Sequence, residues 1–424
     1  MFLRLDGTFS RAGAALRKRQ LPWLVAVGLA GGIAGVAFVE AIEHLSTILG
    51  PGGRPPGAQI AILGSVGLLT GTAAWRWGTS GGVDLLVDNI HVLGGHRERR
   101  GLVTLLPSAL VGIAAGGALG PEAPLVESTG TLGTELAETL GWERADVRVL
   151  TITGMAAGFS VLFGAPIGAA VFSLEILHRE GLEYYEALLP ALIGALSGLL
   201  VYELAVGTSL FSPLWAFPST SSASAGSVAT AILVAVVGVG VAASFVTMTR
   251  LTRRLLRRAP SWIRPACGGV ALGALALWSP YALTFGEHQI EGLLVPGLGI
   301  GALLVAAAAK LAGAAVCVGS DWKGGFIIPL FFVGAAVGHA IHVALPQTDL
   351  ALVVTCGMVA TCVAVTKTPL GSTLVVAGTT GFALAPMLLI TAIVAFVLSR
   401  PLTHFAAQRP RNETALATTM RQGP

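Results

Sequence analysis

Apolar runs recur along almost the whole chain, several of them reaching the roughly 20 residues a helix needs to cross a bilayer. Residues 21–42 read LPWLVAVGLAGGIAGVAFVEAI, 227–246 read SVATAILVAVVGVGVAASFV, 299–318 read GIGALLVAAAAKLAGAAVCV and 385–398 read APMLLITAIVAFVL. Of 424 residues, 54% are hydrophobic and 11% charged, so a soluble fold would have too little polar side chain to cover its surface. The pattern predicts an integral membrane protein of the all-α class, with lipid as its first partner.

The first apolar run begins only at Leu21, follows Arg17, Lys18 and Arg19, and is longer than a signal-peptide core, so residues 1–20 read as a retained cytoplasmic segment. The basic clusters HRERR at 96–100 and RLTRRLLRR at 250–258, and the tail 409–424, read as cytoplasmic on the same argument. That gives a multi-pass protein of the cell membrane with both termini inside. The net charge of +4 needs no nucleic acid to explain it. Cys267, Cys317, Cys356 and Cys362 lie singly in apolar surroundings and read as small buried hydrophobes, with no metal and no cofactor implied.

The 56 glycines fall inside the apolar runs, as they do where membrane helices pack closely. Many runs are cut by Gly or Pro, as at Pro107, Pro124, Pro166, Pro190, Pro329 and Pro369, which points to half-helices. The seam reads at FPSTSSASAGS, 217–227. On either side of it one pattern appears twice. GMAAGFSVLFGAPIG at 154–168 and GMVATCVAVTKTPLG at 357–371 share Gly-Met, ten residues, then Pro-hydrophobic-Gly. A Gly-rich turn precedes each copy, GPEAPL with Pro124 and GGFIIPL with Pro329. The expected membrane domain covers 21–408, as a first repeat of about 21–216 and a second of about 228–408, of opposite topology and with about 16 to 18 unequal helices in all.

Helices that start inside a membrane leave their first N–H groups unpartnered and carry partial positive charge there, so they attract anions. SGGVD at 80–84, GPEAP at 120–124 and GGFIIP at 324–329 fit such starts. Glu122 then has a physical reason to stay: a carboxylate in the membrane interior costs about 3 kcal/mol, and helix N-termini offset that by holding it as a tethered anion. Protonation would release it and admit a free anion, which makes Glu122 a gate and a candidate proton carrier. The simpler alternative is a capping Glu that only satisfies backbone donors.

These residues resemble the CLC family of chloride channels and proton/chloride exchangers. GPEAP resembles that family's Gly-Arg-Glu-Gly-Pro, with Pro121 and Ala123 replacing Arg and Gly, and puts Glu122 at its gating glutamate. FGAPIGAAVFSLEIL at 163–177 is similar to the helix opening Phe-Asn-Ala-Pro-Leu-Ala-Gly and ending in an acid, here Glu175. GGFIIP resembles Gly-Gly-Ile-Phe-Ala-Pro, whose amides line the anion site, at Phe326 and Ile327. KTPLGSTLVV at 367–376 resembles the Ala-Pro-Leu-Thr-Gly element, with Lys367 at a position often basic. The resemblance implies an anion site formed by Ser80, Gly81, Gly82, Gly120, Phe326, Ile327 and Thr403, no catalytic residue, and a homodimer with a pore in each subunit.

Three departures qualify it. The family's anion-holding serine falls on Gly81, its pore tyrosine falls on Thr403, and the internal proton acid falls on Ile176, whose alkyl group relays no proton. The leading expectation is therefore glutamate-gated transport of chloride or a similar small anion, passive or weakly coupled, with proton-coupled antiport as the alternative. An intramembrane enzyme is a third reading, but Ser108, Ser128 and Ser160 have no GxSxG context or motif-paired His. Among other polar residues, Glu40 and His44 read as interfacial, His339 and His342 as a solvated helix end, Glu127 as a packing or dimer residue, and Trp75, Trp77, Trp142 and Trp322 as interfacial anchors.

Overall fold

The computed structural model describes residues 20–79, 82–97, 99–178, 184–207, 215, 225–295, 297–402 and 404–408. Ser80, Gly81 and Thr403, the tail 409–424 and most of the N-terminal segment and the seam lie outside them. The described residues form fifteen α-helices and six short 3-10 turns. The first half comprises α1 (Leu21–Leu49), α2 (Pro56–Trp77), α3 (Gly82–Leu93), α4 (Arg99–Ala114), α5 (Glu122–Thr139), α6 (Arg144–Phe163), α7 (Pro166–Glu175) and α8 (Leu188–Val206). The second comprises α9 (Ala225–Leu256), α10 (Arg264–Trp278), α11 (Ile300–Gly319), α12 (Ile327–Ala344), α13 (Leu350–Thr366), α14 (Pro369–Thr380) and α15 (Ala385–Leu398). Seven helical segments are long and apolar enough to cross a membrane by length and composition. The prediction of an all-α membrane fold holds; fifteen described α-helices stand against the 16 to 18 expected.

Five of the six prolines do mark helix starts: Pro124, Pro166, Pro190, Pro329 and Pro369 all lie in a first turn, where a missing N–H costs nothing. Pro107 does not. It sits inside α4, where the helix continues through it, a tolerance that packed membrane helices allow because neighbours re-satisfy the freed carbonyl.

The centre is built from α6, α12 and α13, whose residues are almost all buried. Lipid offers no hydrophobic drive between apolar helices, so close packing must hold them. Here glycine does it. A Cβ on Gly334 would lie 2.2 Å from the Gly357 carbonyl oxygen and one on Gly357 would lie 2.1 Å from that of Gly334, so α12 and α13 touch backbone to backbone. Equivalent contacts join α5 to α6, where Gly154 meets the Thr129 carbonyl at 2.1 Å and Gly133 that of Leu150 at 2.2 Å. The glycines that end the duplicated frame interlock as well: Gly168 meets the Val375 backbone and Gly371 that of Phe172, both at 2.5 Å, which seats α7 on α14.

Several side chains differ from expectation. Trp75 and Trp77 are exposed, but Trp322 is 8% exposed and donates from Nε1 to the Pro265 carbonyl at 2.7 Å, so it is a packed residue and not an anchor. His339 is buried against the Leu293 carbonyl, which corrects the solvated reading; His342 is partly exposed and bonds the Thr348 carbonyl at 2.9 Å. Cys267 is exposed, and the other three cysteines are buried. Glu127 is buried beside His96, carboxylate to Nε2 at 3.8 Å.

Candidate anion site

Two turns converge at the centre. Gly120 donates to the Gly325 carbonyl at 2.7 Å and Gly325 to that of Gly120 at 2.6 Å, a single antiparallel bridge joining the stretches GPEAP and GGFIIP. Each stretch leads straight into a helix, α5 at Glu122 and α12 at Ile327. The bridge therefore holds two helix N-termini beside each other, with their unpartnered amides gathered in one place.

Glu122 fills that place. It is fully buried, and its Oε1 accepts from the Ile328 amide at 2.7 Å. The acceptor thus spans from the first helix start to the second, and the amide it uses is one residue past the Phe326 and Ile327 pair expected from the sequence. Its Oε2 is buried with no hydrogen-bond partner. Gly120 and Gly325 leave room for it, since a Cβ on either would come within 2.3 Å of Oε2.

Below the carboxylate lies a pocket of about 30 Å³ whose wall includes Glu122, Gly325, Phe326, Ile327, Ile176 and Thr366, room for a small ion or one or two waters. Val83 and Leu86 of α3 close it from one side and Phe405 from another. Gly82, the first residue of α3, has φ +73 with open space around it, a conformation that favours glycine. On the other side of Glu122 is a bowl of about 530 Å³ lined by Pro121, Glu43, Tyr202, Trp215 and Glu287 among others. Pro121 lines the bowl and Glu122, the next residue, lines the pocket, so the start of α5 borders both spaces.

Charge around the site is uneven. Glu287, in the loop between α10 and α11, has its carboxyl pushed up to about 7 by burial and by the nearby negative charge of Glu122 and Glu43. Past the pocket, His404 packs on Phe326 with ring centroids 4.7 Å apart. Its ring is held down to about 3 by burial and by the positive charge of Arg253 and Arg250. The side of the pocket thus carries arginine and the bowl carries carboxylates.

Sequence reasoning overlooked several of these residues. Phe405 contributes an aromatic wall two positions beyond Thr403. Lys310 is fully buried in α11 and donates to the Thr284 carbonyl at 2.7 Å and to that of Leu283, with Phe332 beneath it at 5.1 Å. A lone Lys in the run GIGALLVAAAAKLAGAAVCV was the available signal. Glu175 accepts from the amides of Leu370 at 3.1 Å and Gly371 at 2.6 Å, so it caps α14 from α7. Among the described residues no group of three metal-binding side chains occurs.

The family model described as "Voltage gated chloride channel" matches residues 66–400. The chain is 26% identical over 415 residues to the chloride/fluoride channel protein of Pseudomonas syringae pv. tomato, covering 91% of this chain and 86% of that one. It is 29% identical over 272 residues to the putative ion-transport protein YfeO of Salmonella schwarzengrund, covering 62% of this chain and 64% of that protein. Its fold is similar to the crystal structure of a CLC-type fluoride/proton antiporter, with TM-score 0.78 and 22% identity over 92% of this chain and 98% of the other. It is also similar to that of a slow cyanobacterial Cl-/H+ antiporter, with TM-score 0.79 and 20% identity over 96% of this chain and 99% of the other.

Proposed function

The chain belongs to the voltage-gated chloride channel (CLC) family of anion transport proteins, and on that premise we propose that Glu122 gates the passage of chloride or a similar small anion between the bowl and the pocket. The observation that carries this reading is the bond from the Ile328 amide to a carboxylate at the start of α5, where Pro121 lines the bowl and Glu122 the pocket. When charged, Glu122 occupies the amides that a free anion needs. When protonated it loses its hold on them, and an anion takes its place against the starts of α5 and α12. Gly120, Phe326 and Ile327 border that position, and Ser80, Gly81, Gly82 and Thr403 are assigned to the same ion by resemblance.

Passive or weakly coupled flux is the leading form, because Ile176 stands in the pocket wall where a proton-relaying acid would be needed. Exchange against protons is the second form, with the Thr366 hydroxyl residue in the pocket wall beside Glu122. We place the arginine end of α9 and both termini in the cytoplasm of a cell-membrane protein. The halves divide as 21–216 and 228–408, and the assembly is a homodimer, which stepwise photobleaching in bilayers would check. The gate itself is tested by chloride flux from vesicles against pH. With the bowl side held at constant pH, the wild-type rate rises as the pH on the pocket side falls, whereas Glu122→Gln is fast and indifferent to that pH; a Gln variant with the wild-type pH profile removes the assignment.

A further inference from the structure

One buried amine has no part in the gate. Lys310, in the middle of α11, is fully buried, and an ionisable side chain at that depth in a membrane helix is costly enough to need a partner. Its partners are two carbonyls of one turn. Nζ donates to the Thr284 oxygen at 2.7 Å and to that of Leu283, and it lies 5.1 Å from the centre of the Phe332 ring of α12. Among the described residues neither carbonyl accepts another backbone hydrogen bond.

The turn that Lys310 grips is an awkward one. Thr284 has φ +60 and Gly286 φ +93, and a β-branched residue in the left-handed region stays there only when its surroundings hold it. Thr284 is held on both sides: its N–H donates to the Gly116 carbonyl at 2.9 Å, and its own carbonyl is taken by Lys310. Gly286 closes on the same side chain, since a Cβ there would lie 3.2 Å from Lys310 Cε and 3.2 Å from Phe332 Cδ2. The next residue is Glu287, whose carbonyl takes a longer bond, 3.3 Å, from Trp215 Nε1. Thr284, Phe285, Gly286 and Glu287 all line the bowl. One amine inside the protein thus grips the turn that brings Glu287 to the bowl.

We propose that Lys310 is a positioning residue for the bowl: by holding the Leu283 and Thr284 carbonyls it fixes where Glu287 stands relative to Glu122, and so how anion entry from that side responds to pH. Holding needs donors only, and a lysine supplies two whether or not it carries charge. In this arrangement the negative charge of Glu122 and Glu43 acts on Glu287. The other titratable groups facing it are Tyr202 of α8 and, in its own loop, His288 and Glu291; His339 of α12 is engaged with the Leu293 carbonyl. A turn released from Lys310 moves toward the open bowl, where the carboxyl is better hydrated and farther from Glu122, and its pKa falls back toward the ordinary carboxylate range. Loss of a nearby positive charge by itself would act in the opposite sense, raising that pKa. The sign of the change therefore separates positioning from charge.

This inference rests on the proposed passage of anions from the bowl past Glu122, and the test keeps the two apart. The full chain is placed in one orientation in phosphatidylethanolamine/phosphatidylglycerol vesicles, the pocket side is held at constant pH, and chloride flux is read against the pH on the bowl side. The wild-type flux falls as that pH rises through about 7. In Lys310→Met, of similar length but without donors, the midpoint of the fall is expected at least about one pH unit more acid. The double variant Lys310→Met, Glu287→Gln is expected to show no bowl-side response, like Glu287→Gln alone, because Lys310 acts through Glu287. Gly286→Ala disturbs the same contact from the loop side and gives the acid displacement independently if the Met variant fails to fold. A midpoint equal to wild type, or more alkaline, in the variants that fold overturns the proposal. So does a wild-type flux with no bowl-side response. The gate is judged separately: if Glu122→Gln abolishes the pocket-side response, Glu122 keeps its role whatever becomes of Lys310, and if it leaves that response at the wild-type level the gate itself is removed.

Discussion

At Glu122 the opposing energies nearly cancel, which is what the proposed gate requires. Holding a carboxylate in the membrane interior costs about 3 kcal/mol; a charge-assisted hydrogen bond returns about 1.5–3 kcal/mol, and a helix N-terminus up to about 2 kcal/mol. The Ile328 amide is engaged while Oε2 has no partner, so on the proposed reading the anchored state lies close to balance and a dissolved anion competes for it. The two glycines that make room for Oε2 are the weak point. Gly120→Ala or Gly325→Ala would set a methyl 2.3 Å from that oxygen, expelling the carboxylate. Chloride flux at neutral pH should then rise and lose most of its pH response; an unaltered profile in vesicles would mean that the cradle does not seat the gate. Glu122 was legible in the sequence because a charge flanked by prolines in an apolar run is conspicuous. Thr366 and Phe405 were not, since one ends a helix among alkyl residues and the other follows a loop, and only the fold brings either to the pocket.

Between elements, packing and charge lead to separate expectations. The reciprocal Gly334 and Gly357 contact leaves no space for a methyl, so Gly334→Ala should cost about 1–3 kcal/mol and lower the melting temperature in detergent. Gly240→Ala, with open space around it, should be neutral or stabilise by up to about 1 kcal/mol through helix propensity. Equal melting temperatures for the two variants would contradict the packing argument. On the proposed function, Glu287 makes anion entry from the bowl depend on pH. With its carboxyl pushed up to about 7, it is neutral below that pH and negative above it. Anion entry from the bowl should therefore fall as the pH on that side rises through about 7. Glu287→Gln should remove that component while leaving the response from the opposite side; a variant with the full bowl-side response would exclude Glu287 as its source. The duplicated frames were readable from residue spacing, and their glycines do interlock. The continuation of α4 through Pro107 was not readable, because a proline's tolerance depends on the neighbours that bond its orphaned carbonyl.

For the whole molecule, one chain sets an acidic bowl and an arginine-flanked pocket beside the start of α5. An anion approaching by way of the pocket meets attraction, and one in the bowl meets carboxylates until they are neutralised. Composition alone was enough for the membrane class, and ordered motifs pointed to the family. The meeting of the two turns was not legible, because the Gly120–Gly325 bridge joins residues about 200 positions apart that no local pattern connects. The central claim is that the Glu122 carboxylate and the transported anion compete for the same amides. Chloride binding by calorimetry, on wild type and Glu122→Gln at neutral pH and at about pH 5, tests it most directly. The account predicts that wild type binds weakly at neutral pH and at least about tenfold more tightly in acid, while the Gln variant binds tightly at both. Weak binding by Glu122→Gln at neutral pH, equal to that of wild type, would contradict it.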